Sequence, residues 1–234
     1  MGNAIEIILP VYNEQDILER NVLKIKAFLE EHKFDFLITI IDNGSTDKTF
    51  DVAKNLEKRF SSILTFKLNT KGRGRALRFR ITNSIWPVIG YMDIDLSADL
   101  HYFLEMYGQI KVGNDIVIGS RLINPSLVTR SFLRRFLSKG YNALVRGVLK
   151  LPCFDCQCGF KIFRREAALS LLYLVENNNW FFDTELLFYA YRRRLKIKEI
   201  AIIWNERKKT KVKLFKTVIE DIKGILRLAL NDKL

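Results

Sequence analysis

Short apolar segments alternate with helical patterns through the first half of the chain. The apolar segments are rich in β-branched and aromatic residues, and several are too apolar to lie half exposed, as is typical of strands in a buried parallel sheet. They cover residues 4–9, 36–41, 63–68, 88–92 and 115–119. Between the first two segments, Ile17, Leu18, Ile25 and Leu29 recur at helical spacing. The alternation predicts an α/β fold with a mostly parallel, doubly wound sheet flanked by helices on both faces.

Beyond residue 120 this alternation lapses. Residues 130–150 place apolar positions on one side of a basic helical pattern, and residues 214–230 repeat that arrangement. A shorter strand-like stretch covers residues 197–204. Because no internal repeat, low-complexity tract or linker interrupts the chain, we expect one domain over residues 1–234.

The composition indicates a folded protein with an excess of positive charge. Hydrophobic residues make up 48% of the 234 residues, which excludes wholesale disorder. The 39 basic and 26 acidic residues leave a net charge of +13. Such an excess suits nucleic acid, a phosphorylated substrate or an acidic membrane surface, although a basic soluble surface without a partner is equally compatible with it.

The three cysteines lie close together, at Cys153, Cys156 and Cys158. They are an odd number without a histidine nearby in sequence, whereas a zinc site needs four ligands. Reduced, structural thiols are therefore the favoured interpretation, ahead of metal binding.

Two carboxylates follow the apolar segment 88–92. In an extended chain the side chains of residues i and i+2 point the same way, so Asp93 and Asp95 can reach one cation. Oxygen ligands of this kind suit Mg2+ or Mn2+, which also bind substrate phosphates. The pair indicates an enzyme that handles a nucleotide diphosphate, and a solvated turn is the alternative.

Polar residues also follow the first two strand segments. Tyr12 to Glu14 come after the first segment, and Asp42 comes after the second. Ligands of open α/β sheets bind beyond the carboxyl ends of the strands. We therefore expect these residues to share one active-site edge with Asp93 and Asp95.

The strand ends belong to longer motifs that occur in order along the chain. They are Leu9-Pro10-Val11-Tyr12-Asn13-Glu14, Ile41-Asp42-Asn43-Gly44-Ser45-Thr46-Asp47, Lys71-Gly72-Arg73-Gly74-Arg75-Ala76, Asp93-Ile94-Asp95 and Ile118-Gly119-Ser120-Arg121. Together they resemble glycosyltransferase family 2, with its nucleotide-sugar-binding GT-A fold, and within that family the dolichyl-phosphate sugar synthases.

Three motifs in the second half narrow the resemblance. They are Asp155-Cys156-Gln157-Cys158-Gly159-Phe160-Lys161-Ile162-Phe163, Trp180-Phe181-Phe182-Asp183-Thr184-Glu185-Leu186-Leu187 and Glu199-Ile200-Ala201-Ile202-Ile203-Trp204. This set is most similar to the dolichyl-phosphate glucosyltransferases. Arg207 is more like the mannose-transferring branch, so the choice between glucose and mannose stays open.

The resemblance implies an inverting transfer of a hexose from UDP-glucose or GDP-mannose to the phosphate of a polyprenyl or dolichyl lipid. It implies that Asp93 and Asp95 hold Mg2+ or Mn2+ against the donor phosphates. Ser97 stands where mannose-type members have a glutamine, so water would replace that ligand. The family's donor-binding positions correspond to Pro10, Tyr12, Glu14, Asp42, Lys71, Gly72 and Asp93.

The positions implied to hold the acceptor phosphate are Arg121, Arg134, Ser138 and Arg207. A lipid phosphate is already an anionic nucleophile and needs cationic positioning more than a general base. Asp155 and Asp183 join the two metal-site carboxylates as candidate catalytic residues that would help to orient the sugar. If the nucleophile were a sugar hydroxyl, Asp183 would be its base. The main enzymatic alternative is therefore a soluble transferase that extends a glycan.

Apolar and basic residues are interleaved in the predicted helices 130–150 and 214–230, as in segments that lie in a lipid interface. No segment reaches the roughly 20 apolar residues that span a bilayer, and no secretory signal is recognisable. We therefore expect a protein on the cytoplasmic face of a membrane, attached directly or through a membrane-embedded partner. Packing on the domain core is the alternative for both helices. Nucleic-acid binding is disfavoured, because the aromatic residues fall in apolar runs.

Overall fold

The computed structural model describes residues 3–124, 128–129, 132–205 and 214–230, with the backbone alone at 132–134 and 214–216. Its strands are β1 (Ala4–Val11), β2 (Asp35–Asp42), β3 (Ile63–Lys67), β4 (Val88–Met92), β5 (Ile116–Ser120), β6 (Val128–Thr129), β7 (Phe160–Arg164), β8 (Ile197–Ala201) and β9 (Trp204–Asn205). Its helices are α1 (Leu18–Glu31), α2 (Thr49–Arg59), α3 (Arg73–Asn83), α4 (Tyr102–Lys111), α5 (Phe132–Leu149), α6 (Arg165–Leu172), α7 (Phe182–Arg192) and α8 (Leu214–Leu230).

Seven of these strands form one sheet, in the order β3-β2-β1-β4-β7-β5-β8. β7 runs antiparallel to its neighbours β4 and β5, whereas the other strand pairs of this sheet are parallel. β6 and β9 pair separately, in parallel. The mostly parallel sheet predicted from the alternation of segments is confirmed.

Helices cover both faces of the sheet. Ile7 on β1 packs in a core with α1, α2 and α4, while the next residue, Ile8, packs in a second core with α3, α6 and α7. Both side chains are fully buried. Because the central strands are buried on both faces, their sequences are mostly apolar rather than alternating, with the buried Glu6 on β1 and Thr39 on β2 as polar exceptions.

The carboxyl ends of β1, β2 and β4 meet at one edge of the sheet. Val11 is paired with Asp42 across β1 and β2, and β4 runs beside β1 in the same direction. The antiparallel β7 starts at this same edge, since its first residue, Phe160, is paired with Met92. The loops after these strands and the segment before β7 are therefore neighbours, as expected for residues at the carboxyl ends of parallel strands.

The helices predicted over residues 130–150 and 214–230 correspond to α5 and α8, and the strand-like stretch 197–204 is divided between β8 and β9. Among the described helices, none is both long and apolar enough to cross a membrane. β7 does not follow from the hydrophobic pattern, because the fully buried Lys161 breaks its apolar run.

Candidate active site

The predicted metal motif lies directly beyond β4, at the carboxyl edge of the sheet. The Asp93 backbone N–H donates to the Gly159 carbonyl at 3.2 Å. A Cβ at Gly159 would overlap the Asp93 carboxylate, so a residue without a side chain is needed there. The Asp93 side chain is nevertheless 35% exposed, which leaves it reachable from the edge.

Asp95 is oriented by the residue that departs from the mannose-type pattern. The buried Ser97 donates from its backbone N–H to Asp95 Oδ1 at 2.9 Å and from its hydroxyl to Asp95 Oδ2 at 2.8 Å. Ser97 therefore positions the second carboxylate of the motif.

The donor set at this edge fits a hard divalent cation. Asp93 and Asp95 supply carboxylate oxygens, the ligand type that Mg2+ and Mn2+ prefer. Within the described ranges, no group of three or more His, Cys, Asp or Glu residues is arranged as a metal site. A cation held by these two carboxylates would take oxygens of water and of a bound diphosphate as further ligands.

A buried ionic cluster lies beneath Asp93. Arg73, the first residue of α3, donates from Nη2 to Asp93 Oδ1 at 3.0 Å and from Nη1 to Asp183. Asp183 also accepts hydrogen bonds from the Tyr91 hydroxyl and from Lys161 Nζ, the latter at 3.0 Å. The cluster connects β4, β7, α3 and α7 to the metal motif.

Burial sets the ionisation of this cluster. It raises the pKa of Asp183 to about 6, although the Arg73 guanidinium opposes the shift. Burial likewise lowers the pKa of Lys161 to about 8. With Arg73, Tyr91 and Lys161 already bonded to its oxygens, Asp183 is arranged to anchor Arg73. Its role as a base for a sugar hydroxyl stays a prediction.

Arg121 and Asp155 form a bidentate ion pair near the end of β5. Arg121 Nε lies 2.6 Å from Asp155 Oδ2, and Nη2 lies 2.7 Å from Oδ1. Although burial opposes its ionisation, Asp155 has its pKa lowered by the Arg121 guanidinium. Arg121 also stacks on Trp204, with 5.0 Å between its guanidinium carbon and the ring centroid. The guanidinium is thus fixed in place rather than solvated.

Asp42, at the end of β2, has an unusual environment. It is fully buried, and Oδ1 accepts the Ser45 backbone N–H at 3.3 Å. Its second oxygen, Oδ2, is buried and has no hydrogen-bond partner among the described residues. A buried carboxylate oxygen without a donor is destabilising, so a ligand that supplies one is expected to bind here.

The other predicted donor residues lie on β1 and on loops next to the end of β2. Lys71 Nζ lies 3.3 Å from the centroid of the Tyr12 ring. The Gly72 backbone N–H donates to Asn43 Oδ1 at 2.8 Å, which fastens this loop to the end of β2. Pro10 lies half-buried within β1, and Glu14, half-buried after it, donates its backbone N–H to Thr49 Oγ1 at 2.7 Å.

The acceptor-side predictions are only partly within the described structure. Arg207 lies outside the described residues, and so does the side chain of Arg134, whose backbone belongs to α5. Ser138 is half-buried on α5, where its carbonyl accepts a hydrogen bond from Asn142 Nδ2 at 2.9 Å. The positions implied to hold the acceptor phosphate therefore stay predictions.

Sequence reasoning missed Arg73, Tyr91 and Lys161. Arg73 stands at a variable position of the Lys-Gly-x-Gly-x-Ala motif, and Lys161 ends the Gln-Cys-Gly-Phe-Lys motif. The one local signal is that Lys161 interrupts an apolar run, since a lysine is rarely buried unless it is paired. Its partner, Asp183, is too distant in sequence to be assigned from that signal.

Comparison with known proteins adds a family and several relatives. The model of glycosyl transferase family 2 matches residues 6–172. Glycosyltransferase AglD of Haloferax volcanii is 32% identical over 232 residues, covering 97% of this chain and 37% of the relative. The dolichyl-phosphate beta-glucosyltransferase of Dictyostelium discoideum is 34% identical over 240 residues, covering 96% of this chain and 73% of the relative. The chain thus spans little more than a third of the first relative.

Among solved structures, glucosyl-3-phosphoglycerate synthase from Mycobacterium tuberculosis, in complex with Mn2+, uridine-diphosphate-glucose and phosphoglyceric acid, has a TM-score of 0.76 to this chain. The match covers 97% of this chain and 80% of the other, at 19% identity. At that identity the likeness shows the fold alone. It confirms the GT-A arrangement expected from the motifs.

Proposed function

The chain belongs to glycosyl transferase family 2, and from that premise we propose that it is a hexosyltransferase, which transfers glucose from UDP-glucose to the phosphate of a polyprenyl lipid such as dolichyl phosphate. The observation that carries the proposal is the common edge of the sheet, where Asp42 ends β2, Asp93 and Asp95 follow β4, and Arg121 follows β5. The name of the Dictyostelium discoideum relative supports glucose rather than mannose.

On the donor side, the unpaired Asp42 Oδ2 would accept a hydrogen bond from the nucleoside. Lys71 and the Gly72 backbone would lie along the nucleotide, with Pro10, Tyr12 and Glu14 lining the same pocket. The two carboxylates of the metal motif would hold Mg2+ or Mn2+. When bound, this cation would stabilise negative charge on the diphosphate.

On the acceptor side, a lipid phosphate oxygen would attack the anomeric carbon as the bond from that carbon to the diphosphate oxygen breaks. Attack from the opposite face inverts the configuration and gives a β-linked product. Arg121, Arg134, Ser138 and Arg207 are the proposed ligands of the acceptor phosphate. Because that phosphate is already anionic, no group is required to remove a proton from it.

Donor choice can be tested by calorimetric titration with UDP-glucose and with GDP-mannose in the presence of Mn2+. We expect UDP-glucose to bind at least about tenfold more tightly, a difference of roughly 1.4 kcal/mol. Tighter binding of GDP-mannose would indicate that the donor sugar is mannose rather than glucose. Binding of neither nucleotide sugar would contradict the proposed reaction.

Alanine at Asp42 should weaken UDP binding by roughly 10- to 100-fold, because the buried acceptor of a ligand hydrogen bond is removed. Calorimetry with UDP measures the effect. Asp51→Ala is the matched control, since Asp51 is an exposed acid on the neighbouring α2. Equal UDP affinity of Asp42→Ala and the wild type would show that Asp42 does not bind the donor.

We also propose that α5 and α8 attach the protein to the cytoplasmic face of an anionic membrane. The two helices contact each other. Their exposed apolar side chains are Phe136, Leu137, Leu144 and Val148 on α5, and Val218, Ile219, Ile222, Leu226 and Leu230 on α8. Lys139 on α5 and Lys223 on α8 are exposed, and so is Lys150, which directly follows α5, so an anionic lipid surface is complementary in charge.

The double variant Phe136→Glu/Ile222→Glu should lose at least about 90% of membrane binding, because it places a carboxylate on each helix where the bilayer is anionic. Flotation with vesicles that contain phosphatidylserine measures the bound fraction. Ile85→Glu is the control, since Ile85 is 87% exposed and lies outside both helices. Equal flotation of the double variant and the wild type would contradict attachment through these helices.

A further inference from the structure

Residues 155–159, which we call the 155–159 turn, connect the two sides of the proposed site. At one end Asp155 holds Arg121 by the bidentate ion pair. At the other end Gly159 accepts the backbone N–H of Asp93 and lies directly against its carboxylate. A displacement of this turn would therefore move a proposed acceptor ligand and a proposed metal ligand together.

The middle of the turn is held by the two helices whose outer faces are apolar and exposed. The Cys156 backbone N–H donates to Asn142 Oδ1 on α5 at 3.0 Å. Gln157 Nε2 donates to Asp221 Oδ2 on α8 at 2.9 Å. Asn142 and Asp221 are both buried, at 1% and 4% exposure. Each helix thus places one buried polar side chain on the turn.

Packing alone does not explain why an acidic residue occupies the buried position 221. It lies on the inner face of α8, and its Oδ1 has no hydrogen-bond partner among the described residues. Burial, reinforced by Glu220, raises the pKa of Asp221 to about 7, against the hydrogen bond from Gln157. An apolar residue would pack at this position without that penalty. The carboxylate is therefore best accounted for by its contact with the turn.

The register of α8 is also fixed. Gly224, one turn after Asp221, lies so close to Phe181 that a Cβ there would overlap the ring. Phe181 directly precedes α7, which carries Asp183. The inner face of α8 is thus in contact with both the turn and the start of α7, while its outer face carries the exposed apolar residues.

We propose that Asp221 and Asn142 are positioning residues for the transfer reaction, which hold the 155–159 turn so that Arg121 and Asp93 face each other across the substrates. Neither residue touches the reacting atoms. Because the same helices carry the proposed membrane-binding faces, the contact with the lipid surface and the geometry of the site are set by the same two elements. This inference rests on the proposed function.

The test compares Asp221→Leu with Asp221→Asn, since both remove the charge and only asparagine keeps an oxygen for Gln157. With polyprenyl phosphate and UDP-glucose, we expect Asp221→Leu to lower kcat by roughly 10- to 100-fold through misplacement of the turn. Asp221→Asn should stay within about threefold of the wild type. UDP affinity measured without a divalent cation should change by less than about twofold in both variants, because Asp42 lies on the other half of the sheet.

Two further variants separate positioning from stability. Gln157→Leu removes the other partner from a half-buried position and should reproduce the loss of kcat. Arg227→Gln removes an anchor of α8 to Glu185 on α7, without contacting the turn, and should lower the melting temperature while kcat stays within about twofold. If Asp221→Leu is insoluble, Gln157→Leu alone decides the comparison.

The outcomes distinguish this inference from the proposed function. If the wild type makes no glucosyl lipid, the proposed function fails. If the wild type makes it and both leucine variants match its kcat, the positioning role is wrong. A parallel loss of kcat, UDP affinity and melting temperature in the leucine variants would reduce Asp221 to a structural residue and would also overturn the inference.

Discussion

Alanine at Asp95 is expected to lower the rate of sugar transfer by about a thousandfold while leaving the fold intact. The residue is half-buried, follows β4 and offers carboxylate oxygens to the accessible edge of the sheet. Without it, a cation at this edge would retain Asp93 alone, and stabilisation of the departing diphosphate would be largely lost. Initial rates at saturating UDP-glucose, with Mn2+ varied, measure the effect.

Ser97→Ala is the matched control for this result. It removes one of the two hydrogen bonds that orient Asp95 and keeps the carboxylate itself, since the backbone N–H still donates to Oδ1. We expect a loss of only about tenfold, in the range of one hydrogen bond to a charged group. An Asp95→Ala enzyme that transfers sugar as fast as Ser97→Ala would show that Asp95 is not a ligand of a required cation.

The second large effect concerns stability. Asp183→Ala is expected to lower the free energy of unfolding by roughly 3–5 kcal/mol, because it leaves Arg73 and Lys161 buried without their shared carboxylate. Urea denaturation followed by circular dichroism measures the change. The magnitude is large because the buried Lys161 ammonium would lose its carboxylate partner, while Arg73 would keep its ion pair with Asp93.

Asp183→Asn is the comparison for this variant. An amide keeps an oxygen for the Tyr91 hydroxyl or for Lys161 Nζ, so the loss of stability should be clearly smaller than with alanine. Glu30→Ala, at an exposed ion pair with Lys26 on α1, should change stability by less than about 1 kcal/mol. An Asp183→Ala protein as stable as Glu30→Ala would contradict the anchoring role.

The fold and the donor edge follow from local features of the sequence. The strand that ends at Asp42 and the strand that precedes Asp93 are largely apolar. Each apolar run stops at that aspartate, so both the strand and its functional end are visible in one short segment. The rule that ligands bind beyond the carboxyl ends of parallel strands then brings these ends together without any long-range information.

The remainder of the site depends on contacts between distant residues. From the sequence, Arg73 is indistinguishable from a solvent-exposed arginine at the start of a helix. Only the folded chain shows that it bridges Asp93 and Asp183. β7 does not follow from the sequence, because a charged residue in a short segment argues against a buried strand. Lys161 is buried there because it forms an ion pair with Asp183, which lies on another element. The buried role of Asp221 was missed because α8 reads as an amphipathic helix whose polar residues face solvent.

The most direct test of the central claim is transfer from UDP-glucose, in the presence of Mn2+, to polyprenyl phosphate and, in parallel, to a short soluble sugar acceptor. Mass spectrometry of the organic and aqueous phases identifies the product. We expect a β-linked glucosyl polyprenyl phosphate with the wild type and about a thousandfold less of it with Asp95→Ala. Glucose on the soluble acceptor and none on the lipid would contradict the account and indicate a transferase that extends a glycan.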